Sequence, residues 1–303
     1  MSTGEGFPTF LVIGVAKAGT TSLYQYLRQH PQIYMSPVKE PRFFALEGHP
    51  LDFCGPGDER LWKTTTTTLD AYQTLFEGVT DELAVGECSV LYLHDERAPD
   101  AIARHVPDAK LIAVLRDPAE RAHSAFLYHT RDGREPLEAF EEALADESRR
   151  LAAGWYLAWG YRAQGFYYRG LSRYFDRFAR DQIRVYLHED FRADPLGVLA
   201  DLFAFLGVDS TFRPDVRRRF NPSGRPRSAC VQRLLTQPHP LKEAVKSVVP
   251  EEWGHRVIAR VQPANLARPK VGPETRATLI EGYEDDIRRL ETLIGRDLSN
   301  WLV

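Results

Sequence analysis

The chain contains little cysteine, and its three cysteines are widely separated. Cys54, Cys88 and Cys230 show neither the short paired spacing of a zinc site nor the density of a disulfide framework. Structural disulfides are typical of oxidising compartments, so this composition favours a reducing one, and we expect the cytoplasm. Disulfide-stapled domains and cysteine-ligated zinc domains are excluded as classes.

Long apolar runs and a strong excess of charge are also missing. The apolar run at 10–15 is far shorter than the roughly 20 residues that a membrane-spanning helix requires, and no later run approaches that length. No basic segment of the kind that begins a signal peptide precedes it. A net charge of −3 provides no global basic field for nucleic acid. We therefore expect neither a membrane span nor a nucleic-acid partner, and an anionic ligand must meet a local cluster of basic groups.

Apolar segments alternate with helical patterns along the 303 residues. The segments at 9–15, 83–87 and 110–115, and a fourth that begins at 182, are typical of buried strands. This alternation predicts an α/β fold with a central, mainly parallel sheet flanked by helices, as in P-loop proteins. Because no segment resembles an interdomain linker, we predict a single domain over 1–303.

The predicted helices are marked by their ends. Asp117, Pro118 and Glu120 form the N-cap, N1 and N3 pattern of a capping box, and Gly207 is a typical helix stop. The threonine run at 64–68 is expected to be a connector. Helices are predicted at 20–30, 117–131, 136–152, 194–206 and 274–295.

The stretch "VIGVAKAGTTSLYQYL" joins the first strand to the first helix. Backbone N–H groups and the positive end of the helix dipole converge at such a turn and can bind an anion. Gly19 permits the tight turn, Lys17 adds a full charge, and the hydroxyls of Thr20, Thr21 and Ser22 add donors. The alternative is an ordinary strand-to-helix turn with a solvated lysine.

The order of residues in this loop differs from that of the common nucleotide loop. There, the lysine is followed directly by the serine or threonine that binds magnesium. Here Ala18 and Gly19 separate Lys17 from Thr20. The sequence therefore predicts a phosphate site without a dedicated magnesium ligand.

A second basic constellation follows the strand at 110–115. Arg116 stands where that strand ends, at the sheet edge where open α/β folds bind ligands. Ser124 lies two helical turns further on, so its hydroxyl and the guanidinium can converge on one phosphate. The alternative is that Arg116 pairs with a nearby carboxylate and Ser124 is a packing residue.

These two segments, "GVAKAGTTSLYQYLRQHP" and "LRDPAERAHS", resemble sulfotransferases that use 3′-phosphoadenosine 5′-phosphosulfate (PAPS). The resemblance is to the heparan-sulfate-type and bacterial branch. It implies that Lys17 and the loop Ala18–Ser22 hold the 5′-phosphate and the bridging oxygen to the sulfuryl group. It also implies that Arg116 and Ser124 bind the 3′-phosphate.

The segment "SPVKEPRFFA" carries the candidate base. Enzymes of the heparan-sulfate type have a glutamate three residues before a Phe-Phe pair, and the resemblance implies that Glu40 is the general base. Lys17 would then stabilise the leaving phosphate. The alternatives are a surface Lys–Glu pair, or a histidine base, for which His94 is the first candidate. Arg42 stands where many relatives have histidine.

Three further positions follow from the resemblance. The family segment "GEK" has a lysine near the reaction centre, whereas this chain has Cys88, so Lys39 or Arg42 could replace that lysine. A basic, glycine-containing loop that closes over the 3′-phosphate and adenine would be formed by Ser223, Gly224 and Arg225, and its alternative is an exposed basic turn. An aromatic residue near the nucleotide would be Tyr167, although packing in the core is the ordinary fate of such a residue.

The implied activity is metal-independent transfer of a sulfuryl group from PAPS to a hydroxyl or amine, which releases adenosine 3′,5′-bisphosphate (PAP). Sugars, small molecules, antibiotic scaffolds and other natural products, lipids and aryl compounds are all compatible acceptors. The aromatic stretch at 154–168 could contact the acceptor or pack in the core. Two other functions stay open: a P-loop phosphotransferase that uses ATP and magnesium, and a non-catalytic nucleotide-binding protein of the same fold.

Overall fold

The centre of the fold is a five-stranded parallel sheet, which a computed structural model shows in the order β2-β3-β1-β4-β5. The structure describes residues 6–218, 220, 224–226, 266–267 and 269–303, with the backbone alone at 225 and 226. The strands are β1 (Phe10–Gly14), β2 (Ile33–Met35), β3 (Ala84–Cys88), β4 (Lys110–Leu115) and β5 (Ile183–Leu187).

Helices connect these strands and flank the sheet, which confirms the predicted P-loop-like α/β fold. A short antiparallel ribbon of β6 (Arg225–Pro226) and β7 (Leu266–Ala267) lies apart from the sheet. The helices are α1 (Thr20–Leu27), α2 (Phe43–Leu46), α3 (Leu69–Gln73), α4 (Ala98–His105), α5 (Pro118–Arg131), α6 (Phe140–Ala145), α7 (Glu147–Ala152), α8 (Tyr167–Phe175), α9 (His188–Ala193), α10 (Pro195–Leu206) and α11 (Pro273–Ile294).

The helix ends follow the local sequence closely in two places. The carboxylate of Asp117 accepts a hydrogen bond from the backbone N–H of Glu120 at 2.9 Å, as an N-cap should. Helix α10 ends at Gly207, which has a left-handed φ of 81°. Glu120, however, does not complete a capping box, because its carboxylate accepts from Arg116 at 3.2 Å instead. The sequence therefore predicted the cap residue correctly, but it did not predict the hydrogen-bond partner of the Glu120 side chain.

The central strands are buried on both faces, as their apolar sequences require. All residues of β1 and β3 are buried, including Glu87 in the middle of the sheet. Gly86 allows β3 to lie directly beside β1, because a Cβ there would come within 2.1 Å of the Phe10 ring. The parallel register pairs Val12 with Cys88, so the carboxyl ends of these strands reach one edge of the sheet together. The loops that follow them form the site described below.

Two predictions about elements were wrong. The segment at 136–152 forms two short helices that meet at Asp146, not one helix. Helix α1 ends at Leu27 and does not reach His30, whose imidazole is instead hydrogen-bonded to the carbonyl of Asp209 at 2.9 Å. Among the described residues, no helix is both long and apolar enough to cross a membrane.

Candidate active site

The loop between β1 and α1 has the tight geometry that its glycine predicts. Gly19 has a φ of 96°, and a Cβ at this position would lie 3.4 Å from Nδ1 of His188. The same Nδ1 is 2.9 Å from the carbonyl oxygen of Ala18 and donates to it. His188 begins α9, directly after β5, so the loop is supported from the end of a strand that lies two places from β1 in the sheet. Lys17 also lies in the left-handed region, with a φ of 71°.

The ammonium of Lys17 lies against an aromatic face. Its Nζ is 4.0 Å from the centre of the Tyr128 ring on α5. Burial lowers the pKa of Lys17 to about 7, and the nearby Arg131 and Arg116 act in the same direction. A bound phosphate would reverse this effect by stabilising the ammonium. The position therefore suits an anion that brings its own negative charge.

Arg116 connects the two predicted anion-binding segments. Its Nη1 donates to the carbonyl oxygen of Lys17 at 3.1 Å, and its Nη2 donates to Glu120 at 3.2 Å. Ser124 is buried on α5 and lines the same cavity as Arg116 and Lys17. Arg116 thus pairs with a local carboxylate, as the alternative interpretation predicted. It also lies in the same cavity as Lys17 and Ser124, as a phosphate site requires.

Tyr167 does not reach the cavity. Its side chain is completely buried, and its hydroxyl donates to the carbonyl oxygen of Arg116 at 2.8 Å. The prediction that this ring contacts the nucleotide is therefore corrected: Tyr167 packs in the core and supports the backbone at Arg116. The sequence did not reveal this because a buried aromatic residue and a ligand-stacking one have the same local pattern.

The segment that carries Glu40 lies across the end of β3. The backbone N–H of Glu40 donates to the carbonyl of Cys88 at 2.9 Å. The carboxylate is held from two sides: Lys39 donates to Oε1 at 2.9 Å, and Arg42 donates to Oε2 at 2.8 Å. The Glu40 side chain is 20% exposed, and it lines the cavity together with both cations.

The two cations determine the ionisation of Glu40. Burial by itself would raise the pKa of this carboxyl, but Lys39 and Arg42 outweigh burial and lower the pKa to about 2. Glu40 is therefore ionised at neutral pH, as a proton acceptor must be. Its basicity is weak as long as both cations remain in contact with it.

Arg42 is fixed by a network that includes the threonine run. Its guanidinium donates to the backbone carbonyl of Glu40 at 2.6 Å as well as to its carboxylate. The threonine run at 64–68 is a connector, as predicted, and two of its hydroxyls take part in this network. The other acceptors of the guanidinium are the hydroxyls of Tyr156 at 3.1 Å, Thr64 at 3.0 Å and Thr65 at 3.3 Å.

Backbone strain is concentrated at this cavity. Among the described residues, the non-glycine residues with a positive φ are Lys17, Glu40 and Arg42, and all three line it. Such conformations persist only where the surrounding structure enforces them, and they cluster at functional sites. The strain marks the same residues that the sequence identified by their chemistry.

Cys88 is the last residue of β3, where its carbonyl accepts from the backbone of Glu40, and it is completely buried. Burial raises the pKa of its thiol to about 12, although the nearby Lys39 ammonium acts in the opposite direction. The thiol is therefore neutral, and Lys39 brings a positive charge to the end of β3 from the adjacent loop. Of the two candidates for replacing a lysine at position 88, Lys39 has the more direct contact.

Eight of the predicted site residues meet in one cavity of about 610 Å³. Ala18 is buried beneath the loop and contributes its backbone. Gly224 is buried, and a Cβ there would lie 2.8 Å from the carbonyl of Ala267, so it serves the approach of β7 and does not line the cavity. Ser223 lies outside the described residues, and only the backbone of Arg225 is described. The cavity is lined by Lys17, Gly19, Thr20, Thr21, Ser22, Glu40, Arg116 and Ser124.

His94 lies elsewhere. It lines a separate cavity of about 830 Å³, and its Nε2 is buried without a partner among the described residues. Burial, together with Arg121 and Arg173, lowers the pKa of His94 to about 3. The imidazole is therefore neutral and lines a different cavity from Glu40, so His94 is not placed to act as the base.

Sequence reasoning missed several residues that line the cavity. One group begins at the end of β5, a position that the Arg116 argument would have indicated for any strand of the sheet. A second group approaches from the C-terminal side, where the backbone N–H of Phe220 donates to the hydroxyl of Ser22 at 3.2 Å. A third surrounds the end with Glu40. The missed residues are His188, Phe191 and Arg192; Val216, Phe220, Pro269 and Lys270; and Leu61 and Arg134, which lie beside Tyr156, Leu157 and Ala158 of the stretch at 154–168 that the sequence had indicated.

No cluster of three or more histidine, cysteine, aspartate or glutamate side chains arranged to hold a metal ion occurs within the described parts of the chain.

Comparison with known proteins identifies relatives of this arrangement. A profile of the sulfotransferase family matches residues 8–213. The crystal structure of a sulfotransferase from Alicyclobacillus acidocaldarius is 37% identical, covers 97% of this chain and 98% of its own, and superposes with a TM-score of 0.78. A mouse sulfotransferase in complex with PAP shares the fold, with a TM-score of 0.50, 12% identity, and coverage of 93% of this chain and 84% of its own.

A curated relative is longer than this chain. The bifunctional heparan sulfate N-deacetylase/N-sulfotransferase 4 of Mus musculus is 29% identical over 234 residues. That alignment covers 73% of this chain and only 24% of the mouse protein. The similarity therefore concerns one part of a larger protein.

Proposed function

Because the chain belongs to the sulfotransferase family and is a sulfotransferase enzyme, we propose that PAPS is its donor and that it transfers the sulfuryl group to a hydroxyl or amine of an acceptor. The observation that carries this proposal is the hydrogen bond between Arg116 and the carbonyl of Lys17. It joins the two segments that were predicted to bind anions, in one cavity that Glu40 also lines. A donor with phosphates at two ends matches this arrangement.

Lys17 and Glu40 have different roles in the proposed transfer. The acceptor oxygen or nitrogen forms a bond to sulfur while the bond between sulfur and the bridging phosphate oxygen breaks. The electron pair of the broken bond stays on the phosphate, where Lys17 and the N–H groups of its loop stabilise the charge. The acceptor proton passes to Glu40, which is ionised and therefore able to receive it. The products are the sulfated acceptor and PAP.

The 3′-phosphate of the donor would be bound by Arg116 and Ser124. Arg116 is already oriented by Lys17 and Glu120, so little side-chain entropy remains to be lost on binding. The mouse neighbour in complex with PAP supports a bisphosphate product for this fold. The roles of Ser223 and Arg225 over the adenine remain predictions, and Gly224 would contribute only through the backbone that it allows to approach β7.

A carbohydrate is the first acceptor class to test, since the curated relatives are named for heparan sulfate N-sulfotransferase activity. Tyr156, Leu157 and Ala158, from the aromatic stretch at 154–168, line the end of the cavity near Glu40, where the acceptor would bind. Other small molecules and natural products with a hydroxyl or amine are further candidates. The free thiols of Cys54 and Cys88 favour a reducing compartment, and we propose the cytoplasm as the location.

The test is a transfer assay with PAPS labelled in its sulfuryl group, run against panels of sugars, aryl compounds, lipids and natural-product amines. We expect labelled product from one panel, identified by mass spectrometry as an addition of sulfate, and one PAP released per product. A parallel reaction contains ATP and magnesium. Phosphate transfer from ATP, with no sulfate transfer from PAPS, would show that the chain is a phosphotransferase instead.

A further inference from the structure

The two cations that hold Glu40 are bound to the protein very differently. Arg42 is 7% exposed, and five hydrogen bonds of its guanidinium extend to a backbone carbonyl, the Glu40 carboxylate and three hydroxyls. The Lys39 side chain is more exposed, at 19% against 8% for the side chain of Arg42, and its ammonium donates to Glu40 Oε1. The ammonium also lies beside the buried thiol of Cys88, which is neutral. Lys39 can therefore leave the carboxylate at far smaller cost than Arg42.

This asymmetry matters because Glu40 is a weak base in the observed arrangement. Burial would make the carboxyl more basic, but Lys39 and Arg42 lower its pKa to about 2. A carboxylate with this pKa accepts a proton poorly from an attacking hydroxyl or amine. Removing one of the two cations raises its basicity, and Lys39 is the one that the contacts allow to move.

The cavity provides a destination for the Lys39 ammonium. Lys39 and Lys17 line the same cavity, and the charge of Lys39 contributes to the lowered pKa of Lys17. A sulfuryl group attached to a phosphate at the Lys17 loop would bring negatively charged oxygens between the two lysines and Glu40. Lys39 would then exchange one anionic partner for another, so its charge stays compensated.

Building on the proposed function, we propose that the ammonium of Lys39 transfers from the Glu40 carboxylate to the sulfuryl oxygens of bound PAPS and acts there as a catalytic residue. In this step the Lys39–Glu40 hydrogen bond breaks and a Lys39–sulfuryl hydrogen bond forms, with no proton transferred. Glu40 keeps Arg42 as its positioning partner and gains basicity. Donor binding thereby activates the base only when a sulfuryl group is present.

The proposal can be tested by binding alone, without knowledge of the acceptor. PAP lacks the sulfuryl group, so the change that a Lys39 substitution causes in the ratio of the PAP and PAPS dissociation constants reports its contact with that group. We expect Lys39→Met to raise the dissociation constant of PAPS by about tenfold or more, while the dissociation constant of PAP changes by less than about threefold. Lys63→Met is the matched control, because Lys63 is an exposed lysine outside this cavity, and it should change neither constant.

A second prediction follows because the Glu40 carboxylate and the sulfuryl oxygens compete for the Lys39 ammonium. In Glu40→Gln the carboxylate no longer competes for Lys39, so PAPS should bind at least about threefold more tightly while PAP is unaffected. In the double variant Lys39→Met/Glu40→Gln this gain should disappear. Equal changes for PAP and PAPS in Lys39→Met, or the same gain in the double variant, would overturn the proposal. Failure of the parent protein to bind either nucleotide would instead contradict the proposed function.

Relocating the charge provides a kinetic test once an acceptor is known. In Lys39→Ala/Cys88→Lys, a lysine at the end of β3 supplies the ammonium from the neighbouring position. We expect kcat to fall by about 100-fold in Lys39→Ala and to recover by about tenfold or more in the double variant. Parental kcat in Lys39→Ala would overturn the proposal. The two binding constants still decide the matter if the relocated lysine prevents folding.

Discussion

The guanidinium of Arg42 and residue Glu40 are joined twice within one short segment. Nη2 of Arg42 donates to the Glu40 carboxylate at 2.8 Å, and Nη1 donates to the Glu40 carbonyl oxygen at 2.6 Å. The pair fixes a backbone in which both residues have a positive φ, 67° at Glu40 and 57° at Arg42. The carboxylate is thus held toward the cavity by a local clamp, and the chemistry of the site depends on its keeping this position.

Replacing Glu40 by glutamine should separate binding from catalysis. The amide oxygen can still accept from Arg42, so the segment keeps its shape, but the amide cannot accept the acceptor proton. We expect kcat for sulfate transfer to fall by about 10²- to 10⁴-fold, while the thermal shift produced by PAP is unchanged. Glu138→Gln, at an exposed position, is the matched control. Undiminished transfer by Glu40→Gln would refute the assignment of the base.

The lowered pKa of Lys17 predicts how PAP binding depends on pH. In the free protein Lys17 loses its proton as pH rises through about 7, whereas a bound phosphate raises its pKa. Binding above pH 7 is therefore coupled to uptake of a proton. The contribution of Lys17 to affinity should be constant well below pH 7 and fall by up to about tenfold per pH unit from pH 7 toward pH 9.

Isothermal titration at several pH values, in buffers of different ionisation enthalpy, measures both the affinity and the proton uptake. The charged groups that influence Lys17 are Arg131, Asp132, Arg116 and Lys39, and all of them are retained in Lys17→Met. That variant should bind PAP more weakly at pH 7 and show a nearly flat profile. A profile as steep as that of the parent would mean that another group is responsible.

Arg116→Ala should weaken the binding of nucleotides that carry a 3′-phosphate. Loss of a charge-assisted contact costs about 1.5–3 kcal/mol, which is roughly a 10- to 100-fold change in the dissociation constant of PAP. Adenosine 5′-phosphate lacks the 3′-phosphate and serves as the control ligand, because Arg116 also supports the Lys17 loop. Equal weakening of both ligands would show that the residue acts only through the loop.

The parts of the fold that the sequence predicted well are those determined by burial. Strand β4 begins and ends where its apolar run does, because every residue after Lys110 is buried. Strand β2 was missed because it has only three residues, Ile33–Met35, too few for a pattern to emerge. The helix predicted at 136–152 is divided because Asp146 ends one short helix and begins another. Pairing and packing, not local propensity, decide such cases.

The candidate site shows the same division. Lys17, Arg116 and Glu40 were identified because their motifs are local, and the structure brings them into one cavity. The contacts that set their properties are not local: Tyr128 faces Lys17 from α5, and the Thr64 hydroxyl reaches Arg42 across 22 residues of chain. Periodicity and spacing contain no information about such contacts. The sequence therefore predicted the reactive groups, and the structure was needed for their charge states.

Glu87 gives a prediction about stability that is independent of any ligand. Burial in the middle of the sheet raises the pKa of its carboxyl from 4.5 to about 7, although the hydroxyls of Ser89 and Tyr72 donate to it. Above pH 7 the folded state contains a buried charge, and below about pH 4.5 the group is neutral in both states, so the destabilisation grows as pH rises between these limits. Its full size is on the order of 3 kcal/mol.

Glu87→Gln keeps a carbonyl acceptor for Ser89 without the charge. The free energy of unfolding in urea should therefore be higher for this variant than for the parent at pH 8, and the difference should be smaller at pH 5.5. Contributions from other titrating groups cancel in this comparison. A difference that does not change with pH would show that Glu87 is not the group that titrates.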